Sequence, residues 1–304
     1  MYNTPILFLV FNRFETTQRV FEQIKKQKPK YLFIAQDGPR ENKKEDKQKC
    51  EKVRSLFNEI DWDCEVKTLF QEKNLGCKYA VSSAISWFFE NVEMGVILED
   101  DCLPNDDFFS FCEQLLIRYK DEEKIKIISG ENLQNGIQRG DASYYFSKYP
   151  HIWGWATWRR TWKEYDFLLE TIDTKKFIKI LNKTFNSFWE RMVWLDKFIL
   201  QKNNLINSWD YQLCFSIWAK DGVNILPNKN LVENIGLSLE ATHTKKLNQE
   251  LFFIPTHTIL PLVFNDKIEI NKKADEYTFR LIYKKNIFQL VYRAIRFCFL
   301  KIIK

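Results

Sequence analysis

The chain opens on an unbroken apolar run, Ile6 to Phe11. Such a run predicts a strand covered on both faces, as in a parallel sheet sandwiched by helices. Val20, Phe21 and Ile24 then recur at helical spacing, predicting a helix capped by Thr16 or Thr17 and ended by Pro29. Tyr31 to Ala35 reads as the second strand, stopped by the turn Asp37-Gly38-Pro39. Val53, Leu56, Phe57 and Ile60 give an apolar face to a charged helix over 44–60, and Cys64 to Phe70 alternates as a third strand. A helix over 76–92, a short buried strand over 95–98, a helix over 106–119 and a strand over 125–129 follow. The fold class predicted is α/β, a doubly wound, mostly parallel sheet flanked by helices.

Beyond Tyr149-Pro150 the texture changes. Residues 151–218 are rich in Trp and Phe and helical in pattern, with one helix expected over 156–165. No Gly/Ser/Pro linker separates the halves, so 1–145 and 146–265 are read as two halves of one domain and 266–304 as a tail. Over 286–304 the tail is an apolar helix with Gln289, Arg293, Arg296 and Lys304 on one narrow face. That pattern suits the interface of an anionic bilayer, and equally a helix docked on the domain or on a partner chain.

Composition narrows the function classes. The 304 residues carry 46 Lys+Arg against 40 Asp+Glu, a formal charge of +6. This mild excess suits an anionic small ligand, while the basic runs of a nucleic-acid binder are absent. The seven cysteines are scattered, with no C-x-x-C pair or zinc spacing, which points to a reducing compartment. With no signal peptide and no uncharged run long enough to span a bilayer, a cytoplasmic protein is expected, peripheral on the inner membrane face if the tail binds lipid.

Three polar clusters fall at the carboxyl ends of predicted strands, where open α/β sheets bind ligands: Asn12-Arg13, Asp37, and Glu99-Asp100-Asp101. Consecutive carboxylates at the end of a buried strand require a positive partner. A hard divalent cation with oxygen ligands and bound phosphates is the natural one, which makes Mn²⁺ or Mg²⁺ the expected cofactor. The bland reading, a solvated turn before a helix capped by Asn105, Asp106 or Asp107, accounts for Asp106-Asp107 but not for the triplet.

Taken in order, Val10-Phe-Asn-Arg13, Ala35-Gln-Asp-Gly-Pro39, Asn74-Leu-Gly76, Glu99-Asp-Asp101, Ser129-Gly-Glu-Asn132 and His151-Ile-Trp-Gly-Trp-Ala156 resemble GT-A glycosyltransferases. The likeness is to the inverting N-acetylglucosaminyltransferase I type and its bacterial relatives, and it runs over 5–218. It implies a nucleotide-sugar donor, UDP-linked, and a glycan or lipid-linked acceptor. Asp37 would then bond the nucleobase, Asn12 and Arg13 would lie near base or diphosphate, Asn74 would line the nucleotide cleft, Glu99 would shape the site, Asp100 would contact the ribose and Asp101 would ligate the metal. Asp210 in Ser208-Trp-Asp-Tyr211 resembles the family's segment carrying the catalytic base, though Tyr211 stands where a second aspartate is usual. A helix-capping role for Asp210 competes with this, and Glu190 and Asp196 remain alternative bases. Asn132, Trp153, Gly154 and Trp155 would face the sugars, with one tryptophan expected to be core and the other functional. His243 is a further candidate for the metal or the diphosphate; His151 and His257 read as structural. Two rival functions are a nucleotidylyltransferase, which would want a glycine-rich phosphate loop after the first strand, and a non-catalytic carbohydrate-binding or membrane-associated protein.

Overall fold

The computed structural model describes residues 2–236 and 254–283. His243 and the 286–304 tail therefore lie outside the described residues.

The N-terminal half follows the predicted rhythm: β1 (Ile6–Val10), α1 (Phe14–Gln27), β2 (Tyr31–Gln36), α2 (Asp46–Ser55), β3 (Glu65–Phe70), α3 (Cys77–Asn91) and β4 (Met94–Glu99). A short β5 (Cys102–Pro104) leads into α4 (Asp106–Arg118), then come β6 (Ile125–Ser129), β7 (Tyr144–Ser147) and β8 (Trp155–Trp158). Helices α5 (Arg159–Trp162), α6 (Thr174–Thr184), α7 (Phe188–Lys202) and α8 (Asp210–Ala219) fill the aromatic-rich half. Strands β9 (Val223–Pro227) and β10 (Val232–Asn234) and helix α9 (Lys272–Thr278), continued by a π-helical turn over Phe279–Tyr283, follow.

Among the described residues eight strands form one sheet in the order β3-β2-β1-β4-β8-β6-β9-β7, parallel from β3 to β4 and mixed beyond. Alternate residues of β1 feed two cores. Ile6, Phe8 and Val10 pack with α1, α2 and α4, while Leu7 and Leu9 pack with α3 and the α5–α8 layer. An unbroken apolar strand is needed because both faces are covered.

Two local expectations are corrected. Helix α1 begins at Phe14 with Arg13 at its N-cap, and the Thr17 hydroxyl bonds back to the Arg13 carbonyl instead of capping. The helix expected over 156–165 is split into strand β8 and the single turn α5. A four-residue Trp-Ala-Thr-Trp segment is too short for its period to be read. Its neighbours decide it, because β4 and β6 each offer β8 an open antiparallel edge.

Candidate active site at the carboxyl ends of the parallel strands

The ends of β1, β2, β3 and β4 and the first turns of α3 enclose a cleft of about 340 Å³, toward the small end of the ~300–1,000 Å³ typical of ligand sites. Its wall includes the charged Arg13, Glu99 and Asp100 at the ends of β1 and β4 and the apolar Leu69, Ala80, Val81 and Ala84.

At these strand ends, the Arg13 guanidinium bonds Asp100 and lies 3.0 Å from Asp101. Asp100 also accepts the Phe11 N–H at 3.1 Å, so its carboxylate ties the end of β1 to the end of β4. Glu99 has no side-chain partner among the described residues, and burial, then Asp101 and Asp100, push its carboxyl up to about 8. Burial likewise pushes Asp100 up to about 6, against the pull of Arg13. One arginine thus answers three carboxylates, and the uncompensated charge favours the protonated form of Glu99.

A ribbon closes over this end. Strands β5 and β10 pair antiparallel, the Ile235 N–H bonds the Asp101 carbonyl at 2.8 Å, and Gly236 comes to rest against Asp101. A Cβ at Gly236 would stand 2.7 Å from the Asp101 Cβ and 2.8 Å from Arg13 Nη1, so only glycine fits there without displacing them.

The oxygen donors present suit a hard cation that takes one protein carboxylate and completes its shell with waters and phosphates. Among the described residues no group of three or more His, Cys, Asp or Glu side chains is placed to hold a metal ion by itself. Asp101 is the less buried of the two aspartates, at 17% side-chain exposure against 4% for Asp100, and so the carboxylate more open to such a cation.

Asp37 has a different surrounding from the one expected. Its carboxylate accepts the N–H groups of Gly38 (2.8 Å), Leu75 (2.8 Å) and Gly76 (3.0 Å) and the Asn74 amide (2.9 Å). All four lone-pair positions are taken, three by the loop between β3 and α3 and one by the turn after β2. Asn74 completes the clasp by bonding the Gly38 carbonyl at 2.8 Å, and Gly76, at φ +77°, makes the turn into α3. Asn12 is also held, donating to the buried Asp46 at 2.9 Å.

Asp210 is the first residue of α8, with Trp209 rather than Asp210 in the N-cap position. Its charge raises Glu99 and Cys77, both of which line the cleft. Burial raises the Asp210 carboxyl, while the helix-end N–H groups of Asp210 and Tyr211 and the Lys197 ammonium lower it. Glu190, an alternative base, instead accepts Tyr149 Oη at 2.6 Å and Lys148 Nζ at 3.0 Å in a buried cluster, so it is held away from reaction. Asp196 lies on α7.

The residues expected to face the sugars divide. Trp155 is 1% exposed and stacks on Trp209 at 5.9 Å, so it is a core residue of β8 and offers no ligand a face. Asn132 is likewise buried: its amide donates to the Pro227 carbonyl and accepts the Gln134 N–H, which makes it a loop clamp. Gly154, at φ +62°, is buried where a Cβ would strike Val232, so neighbouring side chains fill its space. Trp153 is half-buried against the first core.

A wider groove of about 960 Å³ follows the other side of α3, lined by Tyr79, Phe89, Trp162, Tyr165 and Phe167, and meets the cleft at Asn74. Sequence reasoning missed this groove and the pair Arg40–Asp46, whose members are six residues apart and meet only when the β2–α2 loop folds back.

No protein-family model and no curated protein matches the chain. Among solved structures it is similar to an apo UDP-glucose pyrophosphorylase (12% identity, 77% of this chain and 93% of that one, TM-score 0.38). It is also similar to mouse xyloside xylosyltransferase 1 (10% identity, 72% and 82%, TM-score 0.34). A third likeness is to HddC from Yersinia pseudotuberculosis (9% identity, 54% and 80%, TM-score 0.32).

Proposed function

We propose that the chain is an inverting glycosyltransferase that moves a sugar from a nucleotide diphosphate sugar, UDP-linked, to an acceptor hydroxyl. The single observation that carries this reading is Arg13 paired with the acidic triplet at the carboxyl ends of the parallel strands; Asp210, half-buried at the start of α8 in the helical half, is assigned to the base by its charge on Glu99. Arg13 and Asp101 hold the diphosphate end, and Asp101 carries Mn²⁺ or Mg²⁺, with His243 a candidate second contact. When bound, the ion supplies charge stabilisation to the departing diphosphate. Asp210 takes the proton from the acceptor hydroxyl as that oxygen attacks the anomeric carbon. A carboxyl raised by burial is a stronger base than an ordinary aspartate, which favours this step near neutral pH.

The acceptor, a glycan or a lipid-linked sugar, enters along the aromatic groove beside α3. The nucleotidylyltransferase reading is disfavoured because only Phe11, Asn12 and Arg13 join β1 to α1, with no glycine-rich phosphate loop. For Asp210→Asn, donor affinity is expected to stay within about twofold while transfer falls by a factor on the order of 10²–10⁴, the contribution of a general base. The wild-type rate is expected to drop on acidification at a pH above the ordinary aspartate range, since the raised carboxyl must be ionised to act. A variant with normal transfer would remove Asp210 from the role.

A further inference from the structure

We propose that Arg40 reads the nucleobase in the cleft and that Asp46 is its positioning residue. This rests on the nucleotide-sugar reading above and adds to it the group that selects the base.

Asp46 is 1% exposed at the start of α2. Its carboxylate accepts Arg40 Nε at 2.6 Å, Arg40 Nη2 at 3.0 Å, the Arg40 N–H at 3.3 Å and Asn12 Nδ2 at 2.9 Å. A two-point pairing of this kind fixes the plane of the guanidinium, and lysine cannot imitate it. The guanidinium lies 5.3 Å from the Phe11 ring, and both residues line the cleft. Arg40 Nη1 has no hydrogen-bond partner among the described residues, so its N–H donors remain available to a ligand while the rest of the group is held.

The surroundings select the kind of ligand. Leu69, Ala80, Val81 and Ala84 give the same cleft an apolar wall, suited to a flat ring. Asp46 neutralises Arg40 at contact distance, leaving a hydrogen-bond donor with little net charge, which favours a neutral carbonyl over a phosphate. The diphosphate is assigned to the Arg13 end because a cation at Asp101 would supply the charge that Arg13, itself paired with Asp100 and Asp101, does not. Asp37, the acceptor expected to pair with the base, has its oxygens filled by Gly38, Asn74, Leu75 and Gly76. The base is therefore read through its carbonyl oxygens by donors, which suits uracil, with two ring carbonyls, and the small cleft volume favours a pyrimidine.

The test is isothermal titration of UDP, ADP and inorganic pyrophosphate, with Mn²⁺ present, into the full chain and its R40A, R40K and D46N variants. Arg40→Ala is expected to weaken UDP by about 10- to 100-fold, the value of a lost hydrogen bond to a charged group, and to erase the preference for UDP over ADP. Pyrophosphate affinity should stay within about twofold. Arg40→Lys should not rescue UDP binding. Asp46→Asn should weaken UDP as Arg40→Ala does yet strengthen pyrophosphate, because the freed guanidinium regains its charge; a general loss of structure would weaken both ligands.

Equal losses of UDP and pyrophosphate in Arg40→Ala would make Arg40 a phosphate ligand and overturn the proposal, as would unchanged UDP affinity. Either result leaves the glycosyltransferase reading standing. Failure of the wild-type chain to bind any of the nucleotides would overturn both.

Discussion

Replacing Asp37 with alanine separates two roles that the same residue is able to play. In the structure its carboxylate receives three backbone N–H groups and the Asn74 amide, and so joins the end of β2 to the loop that starts α3. A hydrogen bond to a charged group contributes about 1.5–3 kcal/mol, and this one is partly solvated, so the set of four is worth about 2–4 kcal/mol rather than the full sum. For a chain of this length that is a fall in Tm of roughly 3–6 °C. The assay is thermal unfolding followed by circular dichroism, with hydrogen exchange read at the Leu75 and Gly76 amides. Those two amides should exchange faster in Asp37→Ala, since they lose their acceptor, and Asp37→Asn should fall between the variant and the wild type because its amide keeps one acceptor oxygen. A Tm within about 1 °C of wild type, unchanged exchange at Leu75 and Gly76 and a large loss of UDP affinity would refute the clamp and restore Asp37 as a base ligand.

Two further outcomes follow from the packing. Gly236→Ala pushes a methyl group into the Asp101 and Arg13 side chains; metal-dependent donor affinity should fall by about tenfold or more, the size of one misplaced charge-assisted contact, with little change in Tm, as measured by titration and melting. Asp275, buried beneath the Ser147 hydroxyl and the Lys148 N–H, is raised to about 6 from an ordinary value of 3.8, chiefly by burial. The folded chain then holds this proton between about pH 4 and 6 and the unfolded chain does not, so the contribution is full below pH 4 and is lost as pH rises through 6. The stability difference between wild type and Asp275→Asn should accordingly shift by up to about 3 kcal/mol in favour of the variant from pH 4 to pH 7, measured by urea unfolding; a pH-independent difference would show that Asp275 does not titrate there.

Much of the N-terminal half was legible because its strands are covered on both faces, and an uninterrupted run such as Ile6 to Val10 has few other uses. The cap on α4 was legible only to within Asn105, Asp106 or Asp107; it is Asn105, whose side chain accepts the Phe108 N–H at 3.1 Å. Strand β8 was not, since Trp155 to Trp158 becomes a strand only between β4 and β6. The same limit applies at the site. The acidic triplet announces itself by charge at the end of a buried strand, whereas the state of Asp37 depends on donors contributed by residues 74–76, and a sequence does not show which acceptors are already filled. Trp155 and Asn132 were assigned to the sugars by resemblance, and both turn out to be occupied by the fold itself. Arg40 drew no notice because its meaning comes entirely from Asp46 and Phe11, which the loop after β2 folds against it.

The measurement that bears most directly on the central claim is titration of UDP into the wild-type chain and Asp101→Ala, each with Mn²⁺ and with chelator. The account predicts binding by the wild type that weakens when the metal is removed, and binding by Asp101→Ala that is weak and no longer responds to metal. Absence of UDP binding by the wild type, or the same metal-dependent affinity in both proteins, would contradict it.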